Sequence, residues 1–161
     1  MRDFLAVLIV LLLLVVAMSL VAGLKTHHRR REEILSAVRK RGRTIVVEVP
    51  AERELKVFSK DYNHFYYGDH VIPKDQIQAV RVLINGSAIA AYASRRFPSA
   101  VVPPPTSFND KDKGIVKDQW DVEIKTTKGI TLVECGAIRE RVSQELARKI
   151  FEEVKTDVEA L

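Results

Sequence analysis

"WDVEIKTTKGITLVEC", residues 120–135, decides what kind of domain this chain can build. Trp120, Val122 and Ile124 alternate with Asp121, Glu123 and Lys125, the two-residue period of a strand with one apolar and one wet face. "TKG" at 127–129 turns the chain and "ITLVEC", 130–135, brings it back. Beyond Gly136 the period lengthens. Ile138, Val142, Leu146, Ile150, Val154 and Val158 recur on a four-residue step from Ala137 to about Glu159, with Leu161 beyond. Arg139, Glu140, Glu145, Arg148, Lys149, Glu152, Glu153 and Lys155 fill the other side. This is an amphipathic helix of about six turns, and its apolar stripe needs a sheet to cover.

Upstream, the period-two pattern continues. "TIVVEVP", 44–50, is β-branched and closed by Pro50; "ELKVFS", 54–59, alternates; "KDYN", 60–63, carries turn formers. "HFYY", 64–67, ends at Gly68-Asp69. "DQIQAVRVLI", 75–84, places Ile77, Val80, Val82 and Ile84 with a change of phase between Ile77 and Val80. Asn85-Gly86 is the strongest hairpin signal, because both residues tolerate the positive φ of a type I′ turn. "SAIAAYAS", 87–94, is the return strand. Four prolines among residues 97–114, with Pro103–Pro105 adjacent, mark a long loop insertion.

The amino-terminal part differs. Phe4 to Leu24 carries no charge, and 21 such residues make a rod of roughly 31 Å, the thickness of a bilayer's hydrocarbon core. Its length exceeds a signal-peptide h-region, so residues 1–24 are expected to be an uncleaved transmembrane anchor. Lys25, Arg29, Arg30, Arg31, Arg39, Lys40, Arg41 and Arg43 follow on a basic juxtamembrane helix, 25–43, where they would lie against anionic headgroups. Basic flanks stay in the cytoplasm, which predicts an inner-membrane, single-pass protein, N-terminus out, with residues 44–161 cytoplasmic. Cys135 is the single cysteine and forms no intrachain disulfide.

Chemistry is sparse. There is no GxGxxG, P-loop, HExxH or GxSxG. Cys135 ends an apolar strand, where a buried structural thiol is expected. His27, His28, His64 and His70, with Asp69, do not make a four-ligand zinc set. The net charge of +5 sits in the collar and not on the β-rich part, which argues against nucleic acid. No catalytic residue, metal, cofactor or small-molecule substrate is therefore expected.

Taken together, the expected fold is α+β. A single transmembrane helix precedes a bent antiparallel sheet or barrel of about seven strands, capped by a long C-terminal amphipathic helix. "IPKDQIQAVRV" at 72–82, "WDVEIKTTKGITLVEC" and the helix from Ala137 to about Glu159 resemble the bacterial pleckstrin-homology-like (PH-like) domains attached to membrane helices. Phosphoinositide binding in eukaryotic relatives of that fold uses a basic loop between the first strands. Here Ala51-Glu52-Arg53-Glu54 is mixed in sign, so the resemblance implies no such binding.

The function expected is that of a non-enzymatic scaffold beside the membrane. Its PH-like domain would bind a protein partner, or its own copies, through Phe65, Tyr66, Tyr67 and the 97–114 loop, with tethering raising effective concentration. The alternative is a structural subunit of a membrane or envelope assembly, its span packing through Ser19 and Gly23.

Overall fold

In the computed structural model of the chain, the backbone is described for residues 2–50, 55–97, 119–137 and 139–161, and side chains likewise except those of 2–10, 17, 20–28 and 50. The 97–114 insertion lies, but for its first residue, outside the described residues. Two compact units divide the chain, Met1–Lys40 and Arg41–Leu161.

The first unit is one helix, α1 (Arg2–Lys40). Among the described residues, no helix is long and apolar enough to cross a membrane. From Arg29 onward the helix is strongly charged. The expected transmembrane anchor is thereby corrected. The single-pass, inner-membrane placement with its N-out topology falls with it. α1 stops where a C-terminal glycine permits: Gly42, at φ +71°, takes the left-handed conformation that closes a helix.

Among the described residues, the second unit is α+β with eight strands, not about seven, in two antiparallel sheets. β1 (Thr44–Pro50), β2 (Leu55–Lys60), β3 (His64–Tyr67) and β4 (His70–Pro73) form the first in sequence order. The strand missing from the sequence reading is β4, paired with β3 across Gly68-Asp69. A 3-10 turn, Lys74–Gln76, leads to β5 (Ile77–Ile84), β6 (Ser87–Ala93), β7 (Gln119–Thr126) and β8 (Gly129–Ala137). Their order is β6-β5-β7-β8, so β5 pairs with both its hairpin partner and a strand more than thirty residues on. The phase change after Ile77 is a register shift between Ile77 and Ala79. Asn85 (φ +52°) and Gly86 (φ +79°) make the β5–β6 turn.

β1 lies beside β8, and α2 (Arg141–Glu159) packs on β1, β5, β7 and β8. The core between them holds Val49, Phe58, Phe65, Ile77, Val80, Val122, Ile124, Val133, Ile150 and Val154, all essentially inaccessible. Each contributes about 1.5–3 kcal/mol by leaving water. The buried stripe of α2 is Ser143, Ala147, Ile150, Phe151, Val154 and Val158. Val142 is 62% exposed, since a strict four-residue step drifts about 40° per step on a 3.6-residue helix and leaves the buried face.

Candidate functional site

The densest polar arrangement in the second unit begins at the β2–β3 turn. Asp61 turns the chain by accepting backbone N–H bonds from Asn63 (2.8 Å) and His64 (2.7 Å) on its Oδ1, as a short carboxylate does at an Asx turn. Its Oδ2 accepts the Tyr66 hydroxyl at 2.6 Å, and His64 Nδ1 stands 3.5 Å from Oδ1. Burial alone would raise the Asp61 carboxyl, but the Tyr66 hydroxyl and the two backbone donors outweigh it and hold the carboxyl below its ordinary value. The same hydrogen bond raises the Tyr66 phenol. On the other side of the ring, the Arg43 guanidinium lies 3.4 Å from the centroid, a stacked cation–π contact. Tyr66 is held at its hydroxyl and on its ring face.

A second group joins this turn to the end of α2. Lys60 Nζ donates to Glu153 (2.7 Å) and to both Asp157 oxygens (2.9 and 3.0 Å). Lys74 Nζ reaches Asp157 Oδ2 at 2.7 Å and the Asp61 carbonyl at 2.6 Å, over the Phe65 ring. Only 8% of the Lys74 side chain is exposed. Asp157 would be raised by burial, yet the two lysines hold it lower. Lys60 is lowered by burial and raised more by Glu153 and Asp157, so the net shift is upward. This is a latch that fixes α2 to the open end of the first sheet.

The three aromatics expected to meet a partner separate by strand alternation. Phe65 (0% exposed) and Tyr67 (5%) enter the core, Phe65 stacking on Phe58 with centroids 5.6 Å apart. Tyr66 faces outward, in register with Val71 on β4, which is 56% exposed. Tyr62 at the turn is 91% exposed. Of the basic residues, Lys25, Arg29, Arg30, Arg31, Arg39 and Lys40 are on α1, with Arg29 paired to Glu33 at 3.5 Å. Arg41 is exposed in the turn after it, and Arg43 is engaged with Tyr66.

Cys135 is fully buried; its thiol donates to the Val133 carbonyl at 3.6 Å, and burial with the nearby Asp121 charge pushes it up to about 12. Among the described residues, no three His, Cys, Asp or Glu side chains gather as metal ligands. Sequence reasoning missed Asp61, Lys74 and Asp157, and singled out Arg43 for the headgroups and not for its contact with Tyr66. The one legible hint was Asp61 in "KDYN", a residue type that nucleates turns. It also missed Glu123, placed on the wet face of β7 but 9% exposed and paired with Arg81, whose Nε is 3.0 Å away. Compared with protein-family models, with curated proteins and with solved structures, the chain matches none.

Proposed function

We propose that the second unit is a non-enzymatic, PH-like binding domain that grips a protein segment on the outer face of its first sheet, around Tyr66 and Arg43. The observation that carries this reading is the immobilised Tyr66–Arg43 pair at the surface, beside exposed Tyr62 and Val71. Tyrosine and arginine dominate binding energy at interfaces, and a ring already pinned through its hydroxyl gives up little entropy on binding. The PH-like part of the reading is supported by strand order. Without β6, the other seven strands run as two successive meanders meeting along β1 and β8, with the final helix packed on both. A non-catalytic role is favoured by the thiol of Cys135, which is held protonated and inaccessible.

Quantitative affinity capture with the full chain and its Tyr66→Ala variant tests the proposal. A protein retained by the parent and reduced about tenfold or more on the variant, with unchanged circular dichroism, supports it; a 2 kcal/mol anchor is worth roughly 30-fold. Identical capture profiles overturn it.

A further inference from the structure

We infer that the segment gripped at Tyr66 is acidic, with the carboxylate of an Asp or Glu side chain seated on the Arg43 guanidinium, a reading that rests on the binding role proposed above and names the chemistry that face takes. Directly opposed residues of an antiparallel sheet share a face, so Ile45, Ser59, Tyr66 and Val71 run in one row across β1 to β4 on its outer side. Arg43 stands two residues before Ile45, the spacing that returns a side chain to the same side, and its guanidinium stacks 3.4 Å from the Tyr66 centroid. Stacking takes up only the flat face of a guanidinium. Its N–H donors lie in the plane, in the rigid fork that matches a carboxylate.

That fork meets no carboxylate of the chain's own. Lys60 and Lys74 pair with Asp157, and Arg81 pairs with Glu123. Among the described residues no such partner stands at Arg43, although its side chain is only partly exposed and a charge drawn out of water is costly unless paired. Asp61, the acid of this site, is already engaged: its oxygens accept the Asn63 and His64 N–H groups and the Tyr66 hydroxyl. Arg41, exposed two residues before Arg43, adds a second cation at the same end of β1. The charges also choose among anions. Asp61 sits at the hydroxyl end of the ring that Arg43 covers, and its field opposes a doubly charged phosphate more than a single carboxylate. Exposed Tyr62 and Val71 then offer contact to the apolar side chains flanking the acid.

The test selects peptides from a random phage-displayed library on the full chain and measures synthetic copies of the winners by fluorescence anisotropy. Peptides whose binding is lost on Tyr66→Ala should share an Asp or Glu at one position. Exchanging that residue for Asn or Gln in the peptide, which leaves the protein untouched, should weaken binding about tenfold or more. Arg43→Lys keeps the charge but not the planar fork, and should lose most of the same factor with unchanged circular dichroism. A phosphoserine in place of the acid should bind no tighter, and tighter binding would overturn the choice of a carboxylate. Tyr66-dependent peptides that share no acid, or that bind the Arg43→Lys variant as well as the parent, overturn this inference and leave the binding face standing. A library that yields no Tyr66-dependent peptide overturns both.

Discussion

Asp157→Ala removes the acceptor shared by two lysines, and the structure sets what this should cost. Lys60 keeps Glu153 at 2.7 Å and is about a quarter exposed, so its loss is that of a surface ion pair, about 0.5 kcal/mol. Lys74 is different. Its ammonium would keep the Asp61 carbonyl at 2.6 Å and the Phe65 ring, yet with an 8% exposed side chain it could not recruit full hydration. Stripping a charged partner from such a group costs about 2–3 kcal/mol. The sum, about 3 kcal/mol, moves a urea midpoint by roughly 1.5–2 M at an m-value near 1.5–2 kcal/mol/M. The single tryptophan, Trp120, is 8% exposed in the core and reports the transition by fluorescence.

The pH dependence gives a second reading of the same residue. Asp157 is held below its ordinary 3.8 when folded, so its stabilisation is complete above that value and is lost as pH falls through the folded value. The gap between parent and Asp157→Asn should thus stay flat from neutrality to about pH 5 and close below pH 4. Lys74→Met/Asp157→Leu should recover most of the stability, since an apolar pair replaces a buried ion pair with little loss. A midpoint shift for Asp157→Ala under about 0.5 M would refute the reasoning, reducing the latch to surface charges of little worth.

Two further outcomes follow from the hairpin and its helix. Gly136, at φ +115°, would place an added Cβ 2.7 Å from Ser143 Oγ, so Gly136→Ala should cost about 2–3 kcal/mol and lower the thermal midpoint by about 10 °C; an unchanged melt counts against this packing. The Cys135 thiol, pushed up to about 12 and fully buried, should resist iodoacetamide near neutral pH and react only on unfolding, and rapid alkylation of the native chain would contradict its burial.

What could be read in advance was local. β1 over Thr44–Pro50, β3 over His64–Tyr67, the Asn85-Gly86 turn and the alternating faces of β7 all follow from periodicity and turn chemistry acting within a few residues. α2 was legible as a helix, but its apolar stripe was read on a four-residue step from Ile138 through Val142, whereas the helix starts at Arg141 and its buried face at Ser143. The oily amino-terminal run was read as a span from its charge-free length and its basic flank. The candidate site was largely hidden, because its bonds join residues far apart in sequence: Lys60 meets Glu153 and Asp157 across 93 and 97 positions. On α2 alone, those carboxylates look like any solvated charge.

Tertiary pairing also explains why the second sheet departs from a simple succession of hairpins. After the β5–β6 turn the chain leaves β6 outermost and returns β7 to the opposite side of β5, with Ile84 beside Trp120. Asn85 serves both events. Its positive φ makes the turn to β6, its side-chain carbonyl accepts the Gln119 N–H at 3.1 Å, and its own N–H donates to the Gln119 carbonyl at 3.2 Å. Glycine could supply the backbone conformation but not the side-chain bond. The residue that looked like pure turn chemistry is therefore also the lock that starts β7 in register. On the other side of β5, β6 contributes the buried Ala88, with Ala90 and Tyr92 at the margin of the buried cluster.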